Sequence, residues 1–262
     1  MSIADWEAWR PAEYVRDYYS RQVEPDEQSA IRFQVEYLRR SGRRFRRAIE
    51  YGCGPTLMRA LAASAYVTSL DMADRLAENL LHVRRWAAGD PQADDWSHFT
   101  GHVLRCEGMA EPSREDVHAR EQRTRQVLAE LLVTDARDGH PLGPERVGTY
   151  DLLVSGFCLD CLSPSKSVWG DCMRNVFALL QPGGAFVLLA LRGCERYRVG
   201  EQWFPGANIQ LPDLVSQLLV CGANPLRLEV AEAELPTHAD QGYTGILMAC
   251  GETRTSPVDS EP

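Results

Sequence analysis

Two glycines that follow a short apolar segment form the pattern in this chain best suited to bind a ligand. Residues 48–51 lead into Gly52-Cys-Gly54, and Glu50 stands two positions before the first glycine. Glycines let the backbone turn sharply and bring amide N–H groups close to a ligand. The dinucleotide fingerprint G-x-G-x-x-G needs a third glycine where this chain has Leu57, which disfavours a pyrophosphate site. The pattern therefore favours a nucleoside ligand without a pyrophosphate.

Two acidic residues at the ends of strand-like segments support this interpretation. Asp71 follows the segment 66–70, about 20 positions after the glycines, where a carboxylate can hold both hydroxyls of a ribose. It could instead cap the N-terminus of a helix. Asp135 ends the segment 131–135, where an adenine amino group could be met.

Two further patterns suggest metal or redox chemistry but lack the residues that would complete it. Cys158-Leu-Asp-Cys161 has C-x-x-C spacing, but no second pair of cysteines completes a zinc ribbon. His98 and His102 are spaced i, i+4 without the glutamate of H-E-x-x-H or a third ligand. We therefore expect no metal site.

A βαβ unit is the element that must position the glycines and Asp71. Residues 48–51 and 66–70 have strand composition, and 57–65 between them are helical in composition. The pattern predicts further strands and helices: strands at 131–135, 150–155, 185–190 and 243–250, and helices at 72–88, 111–132, 167–180 and 212–221. We expect a single α/β domain over residues 1–251. Residues 1–45 form its N-terminal helical cap or lid, and 252–262 are expected to be a disordered tail.

Composition narrows the class of protein. The 262 residues carry 28 Lys+Arg and 37 Asp+Glu, so the formal net charge of −9 gives no support for nucleic-acid binding. The sequence contains no apolar run long enough to predict a transmembrane helix and no secretory signal pattern, so no membrane association is expected. The eight cysteines are therefore expected to be reduced thiols in a cytoplasmic protein. We expect this protein to be a monomer or a weak homo-oligomer.

Several motifs recur in the order found in one known family. They are Tyr14-Val-Arg-Asp-Tyr18-Tyr19, Gly52-Cys-Gly54-Pro-Thr56, Asp90-Pro-x-x-x-Asp95-Trp-Ser, Phe157-Cys-Leu-Asp160, Leu180-Gln-Pro-Gly-Gly184 and Gly200-Glu-Gln202. The chain resembles the nicotinamide / phenylethanolamine / indolethylamine N-methyltransferase family over residues 5–250. This resemblance implies the class I, Rossmann-like methyltransferase fold: a mostly parallel seven-stranded sheet flanked by helices, with an N-terminal helical cap.

The resemblance also implies S-adenosyl-L-methionine as cofactor and the residues that contact it. Tyr14 matches a lid tyrosine that closes over donor and acceptor, and Tyr19 matches a tyrosine that reaches the methionine carboxylate. Asp71 matches the ribose carboxylate, and Asn79 matches a cofactor-contacting asparagine if three residues are inserted between the two. The other implied cofactor contacts are Gly52, Cys53, Gly54, Thr56, Met58, Met72, Asp135, Ala136 and Gly156.

On the acceptor side the resemblance assigns the catalytic carboxylate to Asp160. With Tyr14 it forms the expected catalytic set, and Asp160 would orient the acceptor amine or take its proton. The implied substrate contacts are Phe157, Asp160, Ala190, Cys194, Tyr197 and Gly206. Ala190, Cys194 and Gly206 are smaller or less polar than the family residues at these positions, which argues against nicotinamide and predicts a roomier pocket.

The function that these residues predict is methyl transfer from S-adenosylmethionine to nitrogen of a small-molecule amine or azaheterocycle. Three alternatives remain: an O- or S-methyltransferase acting on a small metabolite, an NAD-dependent oxidoreductase, and a non-catalytic protein that binds S-adenosylmethionine. The oxidoreductase fits the βαβ unit but not Leu57.

Overall fold

A computed structural model of the chain describes residues 3–235 and 240–255. Its main sheet has seven strands in the order β3-β2-β1-β4-β5-β9-β8. Their bounds are β1 Phe45–Tyr51, β2 Val67–Asp74, β3 Leu128–Val133, β4 Tyr150–Gly156, β5 Leu180–Leu191, β8 Glu229–Glu234 and β9 Gly245–Glu252. β1 to β5 are parallel, and β9 runs antiparallel to both β5 and β8. The predicted seven-stranded, mostly parallel sheet is confirmed.

Helices cover both faces of this sheet, as a parallel sheet requires because its strands are apolar on both sides. They are α1 Pro11–Tyr18, α2 Pro25–Ser41, α3 Met58–Ala63, α4 Ala77–Ala87, α5 Ser97–Cys106, α6 Arg114–Val127, α7 Lys166–Phe177 and α8 Leu211–Val220. One apolar core lies under α2, α3 and α5, and a second lies under α7 and α8. The helix predicted over 111–132 ends at Val127, since the chain there enters β3.

The predicted N-terminal cap is helical and packs on the sheet domain. α1 is held to a separate hairpin of β6 (Arg196–Val199) and β7 (Gln202–Pro205), which the sequence pattern did not predict. The Tyr18 hydroxyl donates to the Arg198 carbonyl at 2.5 Å, and the Gly200 amide donates to Asp17 Oδ2 at 2.8 Å. These contacts hold α1 against the hairpin.

The C-terminal boundary differs from the sequence prediction. β9 continues through Glu252, and the Thr253 amide donates to the Gly184 carbonyl at 2.8 Å. The prediction of a disordered tail is therefore wrong for residues 252–255, because these residues pair with the sheet. The rest of the predicted tail lies outside the described residues. Within 3–235 and 240–255, no helix combines the length and the apolar character that a membrane span needs.

Candidate active site

The glycine turn lies at the carboxyl edge of the sheet, between β1 and α3. Gly52 and Gly54 have φ values of 72° and 58°, a region that favours glycine. The amides of Gly52 and Cys53 both donate to the Ala73 carbonyl, at 2.8 and 3.0 Å. Strand order reverses between β1 and β4 beside this turn, which is where ligands bind in open α/β sheets.

Asp74, the last residue of β2, is the carboxylate that faces this turn. Its Oδ2 accepts from the Gly54 amide at 2.8 Å, and its Oδ1 accepts from the Leu76 amide and Asn79 Nδ2 at 2.8 and 2.9 Å. Burial raises the pKa of Asp74, while these three donors oppose the shift. The carboxylate is thus held by backbone and side-chain donors at the mouth of the turn.

Asp71 does not lie in the cavity, and its predicted role as ribose ligand is wrong. It sits in the middle of β2, opposite Ile49, and is 1% exposed. Its Oδ2 accepts from the Tyr150 hydroxyl at 2.8 Å, from Arg146 at 3.0 Å and from Arg47 at 3.3 Å. The strand runs three residues beyond Asp71, so Asp74 takes the strand-end position.

The same displacement of three residues shows that the prediction of Met72 as a cofactor contact is wrong. Met72 is fully buried in the core between the sheet and its helices, whereas Arg75 lines the cavity directly after Asp74. Asp74 is also three residues closer to Asn79, so the three-residue insertion implied for Asn79 is no longer needed.

A cavity lies between the helical cap and the carboxyl ends of β1, β2 and β4. It brings together most of the predicted cofactor residues: Tyr14, Tyr19, Gly52, Cys53, Gly54, Thr56, Met58, Asn79, Asp135, Ala136 and Gly156. Residues that the site prediction omitted also line it, among them Trp6, Trp9, Glu50, Arg59 and Arg75. The position of Glu50, two residues before the first glycine, is a sequence signal for its place in the site, whereas no motif points to Arg59 or Arg75.

Aromatic residues of the cap close one side of the cavity. The hydroxyls of Tyr14 and Tyr19 hydrogen-bond to each other at 2.9 Å, and the Trp9 indole N–H donates to Asn79 Oδ1 at 3.1 Å. A Cβ on Gly54 would lie 3.9 Å from the Tyr14 ring, so the ring packs against the glycine turn. Burial raises the pKa of both tyrosines, which keeps them as neutral phenols.

The far end of the cavity is bounded by the segment after β3. Asp135 accepts hydrogen bonds from Arg137 Nε at 3.0 Å and Nη2 at 2.5 Å, and this contact lowers the pKa of its carboxyl group. Ala136 is buried, and its carbonyl accepts from Asn175 Nδ2 at 2.9 Å. These contacts hold the loop so that a flat ligand group can lie against it.

Two buried charged atoms face the cavity at its other end without a protein partner among the described residues. They are Glu50 Oε2 and Arg59 Nη1, on side chains whose residues are 2% and 3% exposed. A buried polar atom without a partner is destabilising, so such atoms mark places where a ligand group can bind. One acceptor and one cationic donor match the amino and carboxylate groups of an amino acid. With Asp74 near the turn, the lining therefore fits S-adenosylmethionine.

A smaller recess lies beside the cavity. It shares Tyr14, Tyr19, Phe157, Cys161 and Tyr197 with the cavity and adds Tyr18, Asp26, Leu191 and Tyr243. Asp26 Oδ2 accepts from the Tyr243 hydroxyl at 2.9 Å, and its Oδ1 accepts from the Glu27 amide at 2.8 Å. The recess is thus an aromatic space with one carboxylate in its wall.

Asp160 lines neither space, contrary to the prediction that it faces the acceptor. It lies in a short 3-10 turn, Leu159–Cys161, and is 3% exposed. Its Oδ2 accepts from the Leu191 amide at 2.8 Å, and its carbonyl accepts from the Ala207 amide at 2.8 Å. These bonds tie the loop after β4 to the end of β5 and to the segment after β7, which is a structural role.

Three other predicted acceptor contacts also lie outside both spaces. Ala190 and Cys194 are each 2% exposed and belong to apolar cores. A Cβ on Gly206 would overlap the Cys194 carbonyl oxygen, so this glycine packs against backbone. The expectation that these small residues enlarge the pocket is wrong. Phe157 and Tyr197 are the predicted substrate contacts that the structure brings to the recess.

Comparison with known proteins identifies the family of the chain. The sequence model of the NNMT/PNMT/TEMT family matches residues 4–252. The chain belongs to this family. It is 27% identical to indolethylamine N-methyltransferase of Mus musculus, over 85% of this chain and 87% of that protein. It is 32% identical to phenylethanolamine N-methyltransferase of Bos taurus, over 77% and 70% respectively.

A solved structure shows the same fold at lower sequence identity. N-methyltransferase NodS from Bradyrhizobium japonicum WM9, in complex with S-adenosyl-L-homocysteine, superposes with a TM-score of 0.52 and 14% identity over 88% of each chain. The class I methyltransferase fold is confirmed, and the family makes the chain an S-adenosylmethionine-dependent N-methyltransferase, as predicted. Family membership excludes the NAD-dependent oxidoreductase.

Proposed function

We propose that this site methylates the nitrogen of a small amine bound in the aromatic recess, with S-adenosylmethionine in the adjoining cavity. The observation that carries the proposal is that cavity and recess share a wall of five residues. A methyl group at that wall has the donor on one side and an acceptor on the other. In-line transfer needs this arrangement, since the reacting atoms must meet at near-attack distance.

We assign the adenosine half of the donor to the end of the cavity between Asp74 and Ala136. Asp74 is placed to accept from the ribose hydroxyls, and Asp135 and Ala136 border the space for the adenine. The methionine half would lie over Gly52 to Thr56, with Glu50 Oε2 beside its ammonium group. Burial raises the pKa of Glu50 well above its usual range, and a neighbouring ammonium group would favour its carboxylate form.

The chemistry supplied by the bound donor is a methyl group already activated on a sulfonium sulfur. The residues of this chain have only to orient the acceptor nitrogen, leave it neutral at the moment of attack and exclude water. Tyr14 and Tyr19 lie where the two spaces meet, and burial keeps them protonated, so they can shape the passage but cannot serve as bases. Trp9, bonded to Asn79, helps to hold the cap closed.

On the acceptor side we assign the contact with the amine to Asp26 rather than Asp160. Asp26 is the carboxylate in the wall of the recess, and aromatic faces around it favour a cationic or weakly basic amine. Its bond from the Tyr243 hydroxyl at 2.9 Å fixes the carboxylate. The amine would bind as an ammonium ion and lose its proton to this carboxylate before the nitrogen attacks.

We also propose that the protein works in a reducing compartment, the cytoplasm being the expected one. All eight cysteines lie in the described part of the chain and all are free thiols. The acidic net charge of −9 supports small-molecule partners rather than nucleic acid. A monomer or weak homo-oligomer remains the expectation for its quaternary state.

A product screen tests the proposed reaction. Purified protein would be incubated with S-adenosylmethionine carrying a trideuterated methyl group and a library of amines, azaheterocycles, alcohols and thiols. We expect labelled products from amines, with tandem mass spectrometry placing the methyl group on nitrogen. Labelled products only from alcohols or thiols would refute the assignment to nitrogen. Failure of the protein to bind S-adenosylmethionine or S-adenosylhomocysteine would refute the proposed function as a whole.

Asp26→Asn is the matched variant for the acceptor side. It removes one charge from the recess and leaves an isosteric group that can still accept from Tyr243. We expect the KM for an accepted amine to rise by about tenfold, since a charge-assisted hydrogen bond becomes a neutral one, and kcat to fall because the amide cannot take the proton. The affinity for S-adenosylhomocysteine should change by less than about twofold. Asp17→Asn, on the outer side of α1 where Asp17 accepts from the Gly200 amide, is the control for loss of a carboxylate in the cap.

A further inference from the structure

Arg59 is a buried cation at the cavity wall that no sequence motif singled out. It is the second residue of α3, directly after the glycine turn, and is 3% exposed. Its Nη2 forms an ion pair with the Glu27 carboxylate of α2. Its Nη1 is buried and has no hydrogen-bond partner within the part of the chain that the structure describes. Half of the guanidinium group is therefore held by protein, and the other half is available to a ligand.

The neighbours of Arg59 indicate an anionic ligand group. Tyr14, Tyr19 and Thr56 line the same cavity, and the Thr56 hydroxyl donates to the Cys53 carbonyl at 2.8 Å. The Tyr14 and Tyr19 hydroxyls share one hydrogen bond, so one of them keeps an O–H that can also donate to an anionic group. Met58, which precedes Arg59, has a side chain without any N–H or O–H donor. Burial lowers the pKa of Arg59 to about 10, so the side chain remains a cation at neutral pH.

Arg75 is the other arginine of the cavity, and its position assigns it to the opposite end. Its Nη1 also lacks a partner among the described residues. However, Arg75 follows the strand-end Asp74, and its Nε lies 3.8 Å from Asp135 Oδ2. It therefore borders the space proposed for adenosine, whereas Arg59 borders the space over the glycine turn.

The end of β4 is shaped to make room for Arg59. A Cβ on Gly156 would lie 3.2 Å from Arg59 Nε and 3.4 Å from Leu189 Cδ1. Gly156 has no positive φ, so backbone conformation does not require glycine there. The absence of a side chain is explained by the guanidinium group that packs against it.

We infer that Arg59 binds the α-carboxylate of the donor's methionine moiety, positioned by Glu27 and accommodated by Gly156. This inference rests on the proposed function, because it assigns a residue to the methionine half of the proposed donor site. The contact with Arg59 makes the carboxylate of the donor a specificity determinant. A donor analogue that lacks this carboxylate should therefore bind markedly less well. Two charge-assisted hydrogen bonds, one from each end of the zwitterion, would then orient the methionine chain at Glu50 and Arg59.

The test compares two ligands that differ only in the carboxylate. Isothermal titration would measure S-adenosylhomocysteine and its decarboxylated analogue, 5′-deoxy-5′-(3-aminopropylthio)adenosine. We expect the native protein to prefer S-adenosylhomocysteine by about 30-fold, the effect of one charge-assisted hydrogen bond. A double variant, Glu27→Gln with Arg59→Gln, replaces both charges and so leaves no unpaired buried glutamate. In this variant the preference should fall to about threefold or less.

Three variants separate ligand binding from structural effects. Glu107→Gln with Arg120→Gln removes another mostly buried Arg–Glu pair that is not at the cavity, and should keep the native preference. Arg75→Gln should weaken both ligands by the same factor, because it acts on the shared adenosine half. Gly156→Ala crowds Arg59 without removing a charge, and should weaken S-adenosylhomocysteine by a larger factor than it weakens the decarboxylated analogue.

The outcomes distinguish the inference from the proposed function. If the Glu27/Arg59 double variant keeps the native preference, or loses both ligands by the same factor, Arg59 does not bind the carboxylate. If circular dichroism shows that the double variant is unfolded, Gly156→Ala decides: equal effects on both ligands overturn the inference, and a selective loss of S-adenosylhomocysteine supports it. If the native protein binds neither ligand, the proposed function fails and the inference fails with it.

Discussion

Two carboxylates three residues apart on β2 allow a sharp test of how the site is built. Asp74 ends the strand at the cavity, whereas Asp71 lies inside the sheet. We expect Asp74→Asn to weaken S-adenosylhomocysteine by about 100-fold. Two ribose hydroxyls would lose a charged acceptor, and each such bond contributes about 1.5 kcal/mol or more.

The protein contacts of Asp74 add to this loss. Its two oxygens accept from three N–H groups, and an asparagine amide must turn its own N–H₂ toward at least one of them. If the N–H₂ takes the place of Oδ2, the Gly54 amide is displaced; if it takes the place of Oδ1, the Leu76 amide and Asn79 Nδ2 are displaced. The free energy of unfolding should fall by about 1 kcal/mol, far less than the loss in binding.

Asp71→Asn is the matched control, because the chemical change is identical. Its Oδ2 accepts from Tyr150, Arg146 and Arg47, and Arg146 keeps a second partner in Glu130 at 2.9 Å. We expect the free energy of unfolding to fall by about 2 kcal/mol, with cofactor affinity within about twofold of native. Isothermal titration and urea denaturation measure the two effects. Equal losses of affinity in both variants, or native affinity in Asp74→Asn, would refute this account.

Other substitutions probe the cap, the loop after β4 and the hairpin. Trp9→Phe removes the hydrogen bond to Asn79 at 3.1 Å and should weaken binding of S-adenosylhomocysteine about fivefold in isothermal titration. Trp203→Phe, in a strand outside the cavity, is the control and should leave this affinity unchanged. Equal effects of the two substitutions would contradict the role of the cap. Asp160→Asn tests burial of a carboxyl group whose pKa is raised from 3.8 to about 6. Between these values the folded protein binds a proton that the unfolded chain has released, so native stability should fall as pH rises from about 4 to about 6, by about 3 kcal/mol at most. Urea denaturation of Asp160→Asn should lack this decline, and parallel pH profiles of the two proteins would count against a buried, protonated Asp160.

Much of the fold and of the donor site could be predicted from local sequence. A short apolar strand followed by Gly52 and Gly54 specifies a tight turn wherever it occurs, because only glycine adopts these φ values readily. Ordered motifs then identified the family, and with it the cap tyrosines Tyr14 and Tyr19. Each of these features depends on residue type and spacing along the chain.

The end of β2 could not be predicted in this way. An acidic residue usually ends a buried strand, so Asp71 was expected at its end, whereas β2 continues to Asp74. Asp71 is tolerated within the sheet because Tyr150 and Arg146, 79 and 75 positions away in the chain, supply its hydrogen bonds. No local pattern reveals partners so distant in the chain. The misplaced end of β2 therefore shifted both the predicted ribose carboxylate and the predicted contact that follows it.

The sequence alone thus determined the parallel α/β sheet, the glycine turn and the family, because these follow from local backbone preferences and from motifs read in order. Tertiary structure alone decided which charged groups face the ligand. It buried Asp160 against the Leu191 amide, brought Asp26 from the cap into the recess and left Arg59 half-paired at the cavity. The physical reason is that the free energy of a buried charge depends on its partners, and only folding brings those partners together.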